Sequence, residues 1–120
     1  MLVDTSVWIR FLAKREPFSS QLDALLSDQR VVGHEFVLGE LLIGDTGRRG
    51  DFLATYEYIP YAEVISHGEV VTFVRDRSLA GRGVGWVDTH LLASALVGGY
   101  SLWTADRSLE ALARELGVAY

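Results

Sequence analysis

Four acidic residues stand out in the 120-residue chain by where they fall: Asp4, Glu40, Asp88 and Asp106. Asp4 ends the apolar run Leu2-Val3, and Asp106 follows Ser101-Leu102-Trp103-Thr104, so each sits just past a predicted strand. In a parallel sheet such positions share one edge. Asp88 opens a helical pattern of Leu91, Leu92, Ala95 and Leu96 directly after a glycine-rich loop. Each aspartate taken alone reads as well as a helix cap, a role this residue fills often. Glu40 is different. It lies among Phe36, Val37, Leu38, Leu41, Leu42 and Ile43, with no Lys or Arg at helical spacing to pair with it. A carboxylate buried there needs a partner, because unpaired burial is strongly unfavourable. A metal, a cleft, a narrow exposed stripe or a distant arginine would each supply an answer.

Gathered at one edge, four carboxylates repel one another, which raises their pKa values unless a cation neutralises them. Mg²⁺ and Mn²⁺ prefer carboxylate and water oxygens. The chain has no cysteine, and His34, His67 and His90 lack metal-ligand spacing, so zinc is disfavoured. One or two hard cations at such a site can activate a water and stabilise charge on a phosphodiester. The chemistry implied is hydrolysis of RNA or DNA.

The elements that must position these acids alternate along the chain. Leu2-Val3 predicts a strand, and Val7, Trp8, Phe11 and Leu12 the face of a first helix. A second helix follows Pro17 and carries Leu22, Leu25 and Leu26. Val31 to His34 predicts a short buried strand; Glu35 to Gly44, apolar nearly all round, predicts a buried helix. After the polar turn from Gly44 to Gly50, Phe52, Leu53 and Tyr56 mark another helix, and Tyr61 to Ile65 a strand. His67 to Ala80 is helical until Gly81-Arg82-Gly83-Val84-Gly85-Trp86 breaks it. Val87 to Val97 forms a helix ended by Gly98-Gly99, and Ser101 to Thr104 a strand. Asp106 to Leu116 is helical, with Val118-Ala119 a last edge strand. This order predicts one α/β domain over residues 1–120, built on a central, mainly parallel sheet flanked by helices.

Composition narrows the function classes. Apolar residues make up 49% and charged residues 22%, a balance that fits neither a disordered nor a fibrous chain. The first residues lack the basic then apolar pattern of a signal peptide, and no apolar run approaches the roughly 20 residues of a membrane span, so a cytoplasmic protein without membrane association is expected. A net charge of -5 opposes general electrostatic capture of nucleic acid. Two divalent cations at the four acids would bring the balance to about -1, and ten of the eleven basic residues are arginine, whose planar fork suits phosphate.

These residues together resemble the PIN-domain nucleases, and within them the VapC-type toxins of bacterial and archaeal toxin-antitoxin pairs. The resemblance covers nearly the whole chain. Met1-Leu2-Val3-Asp4-Thr5-Ser6-Val7 is similar to the family's opening strand and first acid, and Val37-Leu38-Gly39-Glu40-Leu41-Leu42-Ile43-Gly44 to its glutamate helix. Asp88, in Asp88-Thr89-His90-Leu91-Leu92-Ala93-Ser94-Ala95-Leu96, and Asp106, in Leu102-Trp103-Thr104-Ala105-Asp106, correspond to the third and fourth acids. The resemblance implies a three-layer fold and a divalent-metal endoribonuclease, with Asp4, Glu40, Asp88 and Asp106 as ligands directly or through water. It also implies that the hydroxyls of Ser6 and Thr104 orient carboxylates or water, with Thr5 the less certain neighbour. A small cognate VapB-like antitoxin and a homodimer are further implications. His90 departs from the pattern, since the family more often has an apolar or small residue there; a surface or packing role is expected for it.

Around the acids, Arg10, Lys14, Arg15, Arg82 and Arg107 are candidates to hold phosphates, and each is also explicable as solvated surface. Arg82 beside Trp86 is the leading RNA contact, because an aromatic ring can stack on an unpaired base. Trp8 and Trp103 are expected in the core, and His34 and His67 in structural roles. Two other functions remain open: a housekeeping RNA-processing nuclease of the same fold, and a haloacid-dehalogenase-like phosphatase using Asp4 covalently. The phosphatase pattern wants an acid where Ser6 stands, and a receiver domain wants a late lysine, whereas Lys14 is the chain's only one.

Overall fold

The structure, a computed structural model, describes residues 1–120. Its centre is a pair of short parallel strands, β1 (Leu2–Val3) and β2 (Leu102–Trp103), with Leu2 opposite Leu102 and Val3 opposite Trp103. All four residues are buried, as apolar pairs on both faces of a parallel sheet must be. Single parallel bridges extend the sheet. Leu2 pairs with Val32, Gly33 with Tyr61, and Leu102 with Ala119. The expected strands at 31–34, 61–65 and 118–119 are therefore present as one-residue bridges, too short for a regular ladder.

Seven helices cover this sheet: α1 (Thr5–Leu12), α2 (Phe18–Ser27), α3 (Glu35–Ile43), α4 (Gly50–Tyr58), α5 (His67–Asp76), α6 (Trp86–Gly98) and α7 (Arg107–Glu115). The architecture is α/β, as the alternation predicts. Helix α6 is its most deeply buried helix, with every residue from Thr89 to Ala95 inside. Its end is set by Gly99, whose φ of +70° is a left-handed conformation that other residues rarely adopt. Next to it, a Cβ on Gly98 would fall 2.3 Å from the Tyr100 ring, so a larger residue there would require that ring to move.

The core is one apolar cluster that joins the strands to α1, α2, α3, α4, α6 and α7. Trp8 and Trp103 belong to it, as expected. Trp8 packs against Phe11, Phe52 and Tyr56, tying α1 to α4 through aromatic contacts at centroid distances of 5.3 to 5.8 Å.

One expectation fails. Helix α3 is not buried all round: Val37 and Leu41 face the core, but Leu42 is 49% and Ile43 90% exposed, and Glu40 lies in solvent. Its composition carries no apolar stripe, because leucine and isoleucine occupy the outer face as well as the inner one.

Candidate active site

Asp4 follows β1 at the start of α1, yet it does not cap that helix with its side chain. The carboxylate is buried and turned inward. Its Oδ2 accepts a hydrogen bond from Ser6 Oγ at 2.6 Å and another from Thr104 Oγ1 at 2.8 Å. Both hydroxyl hydrogens are thus committed to Asp4, and the 3.3 Å approach of Ser6 to Thr104 is a contact rather than a third bond. Each hydroxyl also accepts: Ser6 from the Ala105 N–H at 3.0 Å, Thr104 from the Asp106 N–H at 3.0 Å. The turn after β1 is thereby fastened to the turn after β2.

The other three acids are held from different elements. Asp106 caps α7, with Oδ1 accepting from the Leu109 N–H at 2.9 Å. Asp88, in the first turn of α6, accepts from the Gly85 N–H through Oδ2 at 3.2 Å. Glu40 reaches across from α3, and its Oε1 accepts from Thr5 Oγ1 at 2.7 Å. The acids converge far enough to feel one another electrostatically. Burial raises the pKa of Asp88, the Gly85 hydrogen bond partly offsets this, and the negative charges of Asp4, Asp106 and Glu40 raise it further.

None of the four carboxylates is within ion-pairing distance of a Lys or Arg. Asp4 Oδ1, Asp88 Oδ1, Asp106 Oδ2 and Glu40 Oε2 accept no hydrogen bond from the protein. No three acidic or histidine side chains crowd close enough to enclose an ion on their own. An all-oxygen set with free lone pairs and mutual repulsion fits a hard cation that keeps part of its water shell.

The predicted hydroxyls divide as the geometry dictates. Ser6 and Thr104 serve Asp4, while Thr5 has the firmer role of fixing Glu40. Helical phase is the sequence signal for that role, since adjacent residues at a helix start point in different directions. Glu40 itself needs a correction: its carboxylate is exposed, so its place at the site follows from Thr5 and the neighbouring acids and not from burial.

Arg82 has a protein partner: its guanidinium makes an exposed bidentate pair with Glu115 of α7, at 2.5 and 3.1 Å, which a phosphate would have to displace. Arg107 lies in solvent at the first position of α7, next to Asp106. Arg10 donates to the Ser6 carbonyl at 2.9 Å and lies over the Phe18 ring. His34 is structural as expected: Nδ1 accepts from the Phe36 N–H and Nε2–H donates to Ser94 Oγ, which donates to the Glu63 carbonyl. His90 is a packing residue, buried between Phe36 and Trp86.

The model of the family described as PIN domain matches residues 1–115. The chain is a member of the PIN-domain family. It is also similar to Ribonuclease VapC32 of Mycobacterium tuberculosis, in the CDC 1551 / Oshkosh and ATCC 25618 / H37Rv strains alike. Identity to each is 44% over 123 residues, covering 99% of this chain and 94% of the relative. The matched region of this PIN domain contains all four acids and the three hydroxyl residues that hold two of them.

Proposed function

We propose that the chain, as one domain over residues 1–120, is a divalent-metal endoribonuclease whose ligands are Asp4, Glu40, Asp88 and Asp106. The observation that carries this reading is the hydrogen-bonded Asp4, pinned through one oxygen while the other is left without a protein donor. Three more acids stand near it and no basic side chain neutralises any of them. Mg²⁺ or Mn²⁺ bound there, directly or through water, supplies charge neutralisation for a phosphodiester and acidifies a water.

The protein's own contribution is preorganisation. Ser6 and Thr104 fix the direction of Asp4, Thr5 fixes Glu40, and the Gly85 and Leu109 amides fix Asp88 and Asp106. Such partners keep ligand geometry within the narrow range that catalysis needs. The resemblance to a protein named as a VapC ribonuclease extends the reading to a cytoplasmic toxin that acts on RNA, forms a homodimer and is restrained by a small VapB-like antitoxin. No helix is long and apolar enough to cross a membrane.

Asp4→Asn tests the chemistry because it removes a charge while nearly preserving shape. Cleavage of RNA in Mg²⁺ is expected to be lost, with the circular dichroism spectrum unchanged. Cleavage that survives both this substitution and EDTA would overturn the metal mechanism. The toxin reading is checked in cells: expression of the chain alone should arrest growth, and Asp88→Asn should relieve the arrest. Normal growth with soluble wild-type protein present argues for an RNA-processing nuclease instead.

A further inference from the structure

The start of α6, the helix that carries Asp88, bears an aromatic cluster that hydrolysis itself does not use. Trp86 opens α6 two residues before Asp88 and is 43% exposed, whereas Trp8 and Trp103 are buried in the core. His67, at the start of α5, lies against Trp86 with ring centroids 5.3 Å apart and planes tilted by 56°. His90, one turn along α6, meets the same ring edge-on at 5.0 Å and 85°. Behind His90 stands Phe36 of α3, at 4.6 Å, one turn before Glu40. The cluster therefore runs from α5 to the helix that carries one of the four acids, and leaves its largest ring at the surface.

Two features set this cluster apart from ordinary packing. His90 is buried with Nδ1 unpartnered, an arrangement that an apolar residue would avoid if filling space were its only task. Positive charge is also sparse beside the cluster: the net charge of the chain is -5, and Arg82, the cation of the adjoining loop, is engaged by Glu115. Stacking on an aromatic face holds an unpaired base without needing positive charge.

We propose that Trp86, braced by His67 and His90, is a platform on which one unpaired base of the RNA stacks beside the phosphodiester facing Asp88. The proposal rests on the nuclease reading and adds a binding subsite selective for single-stranded RNA. Bases within a duplex are already stacked and paired, so a helical substrate cannot occupy the platform.

The test uses the full chain carrying Asp4→Asn, in Mg²⁺, so that affinity is read without cleavage. Fluorescence quenching and anisotropy are measured with oligo(A), oligo(C) and oligo(U), and with duplex RNA as a control. Single strands should quench tryptophan emission and the duplex should not. Adding Trp86→Ala should abolish the quench and weaken single-strand binding by about 5- to 150-fold. Trp86→Phe should retain most of the affinity, which separates loss of stacking from loss of folding. Equal affinity with and without Trp86, or no single-strand binding by the Asp4→Asn protein, overturns the proposal. Unchanged RNA affinity combined with lost binding of a partner protein overturns it too, by assigning the patch to that partner. Failure of the nuclease reading is seen separately, as absence of cleavage by the chain with Asp4 intact.

Discussion

At Asp4, two hydroxyls from opposite ends of the chain converge on one carboxylate oxygen, and the other oxygen is left without a protein donor. Thr104 has the larger task, because it also accepts from the Asp106 amide and so sets two acids at once. Thr104→Val is expected to lower Mn²⁺ affinity or RNA cleavage by roughly 10- to 100-fold, and Thr104→Ser to restore most of it. Isothermal titration and a cleavage assay check the two quantities. The three aspartates stood out as candidates from their positions after strands and at helix starts, Glu40 from its place in an apolar helix, and the resemblance joined them into one set. The pairing of Arg82 with Glu115 was not legible, because nothing in the loop reveals a residue on the neighbouring helix surface. Thr5 was undervalued because helical phase shows only that it points away from Ser6, while the partner it meets is 35 residues away.

Among the elements, α3 is capped by a histidine rather than by the usual short polar residue. The cap requires neutral His34, because Nδ1 must accept the Phe36 N–H. Burial, aided by the nearby His90, lowers the pKa of His34 to about 4, against 6.5 for the free residue. Its stabilising contribution is therefore complete above pH ~6.5 and is lost as pH falls toward ~4, an effect of at most about 3 kcal/mol. Urea unfolding between those limits should show stability rising with pH, and His34→Gln should flatten the slope. An unchanged slope would mean that His34 is already protonated in the folded protein. Most helices were readable from apolar spacing and α3 from its unbroken apolar composition, but the outer face of α3 was not. Leu42 and Ile43 have the composition of a core, and only the packing of α1 and α4 against the other side shows which face is covered.

For the whole molecule, the uncompensated acids are a standing electrostatic cost that a bound cation would remove. Mg²⁺ at about 100 times its dissociation constant should add roughly 2.7 kcal/mol to the stability of the fold. Calorimetry should record a rise of several degrees in Tm with Mg²⁺, reversed by EDTA and reduced in Asp4→Asn. An unshifted Tm would count against binding at this site. The alternation of strands and helices made the α/β class readable, whereas bridges of a single residue left no strand-length signal at the edges. The hydroxyl pair Ser6 and Thr104 spans 98 positions, and β1 finds its neighbour β2 only at residues 102 and 103. Synthesis runs from the first strand to the last, so a growing chain holds Asp4 long before it holds Thr104 or Asp106. Until β2 has emerged and docked beside β1, Asp4 lacks one of the two hydroxyls that orient it, and the four acids cannot gather.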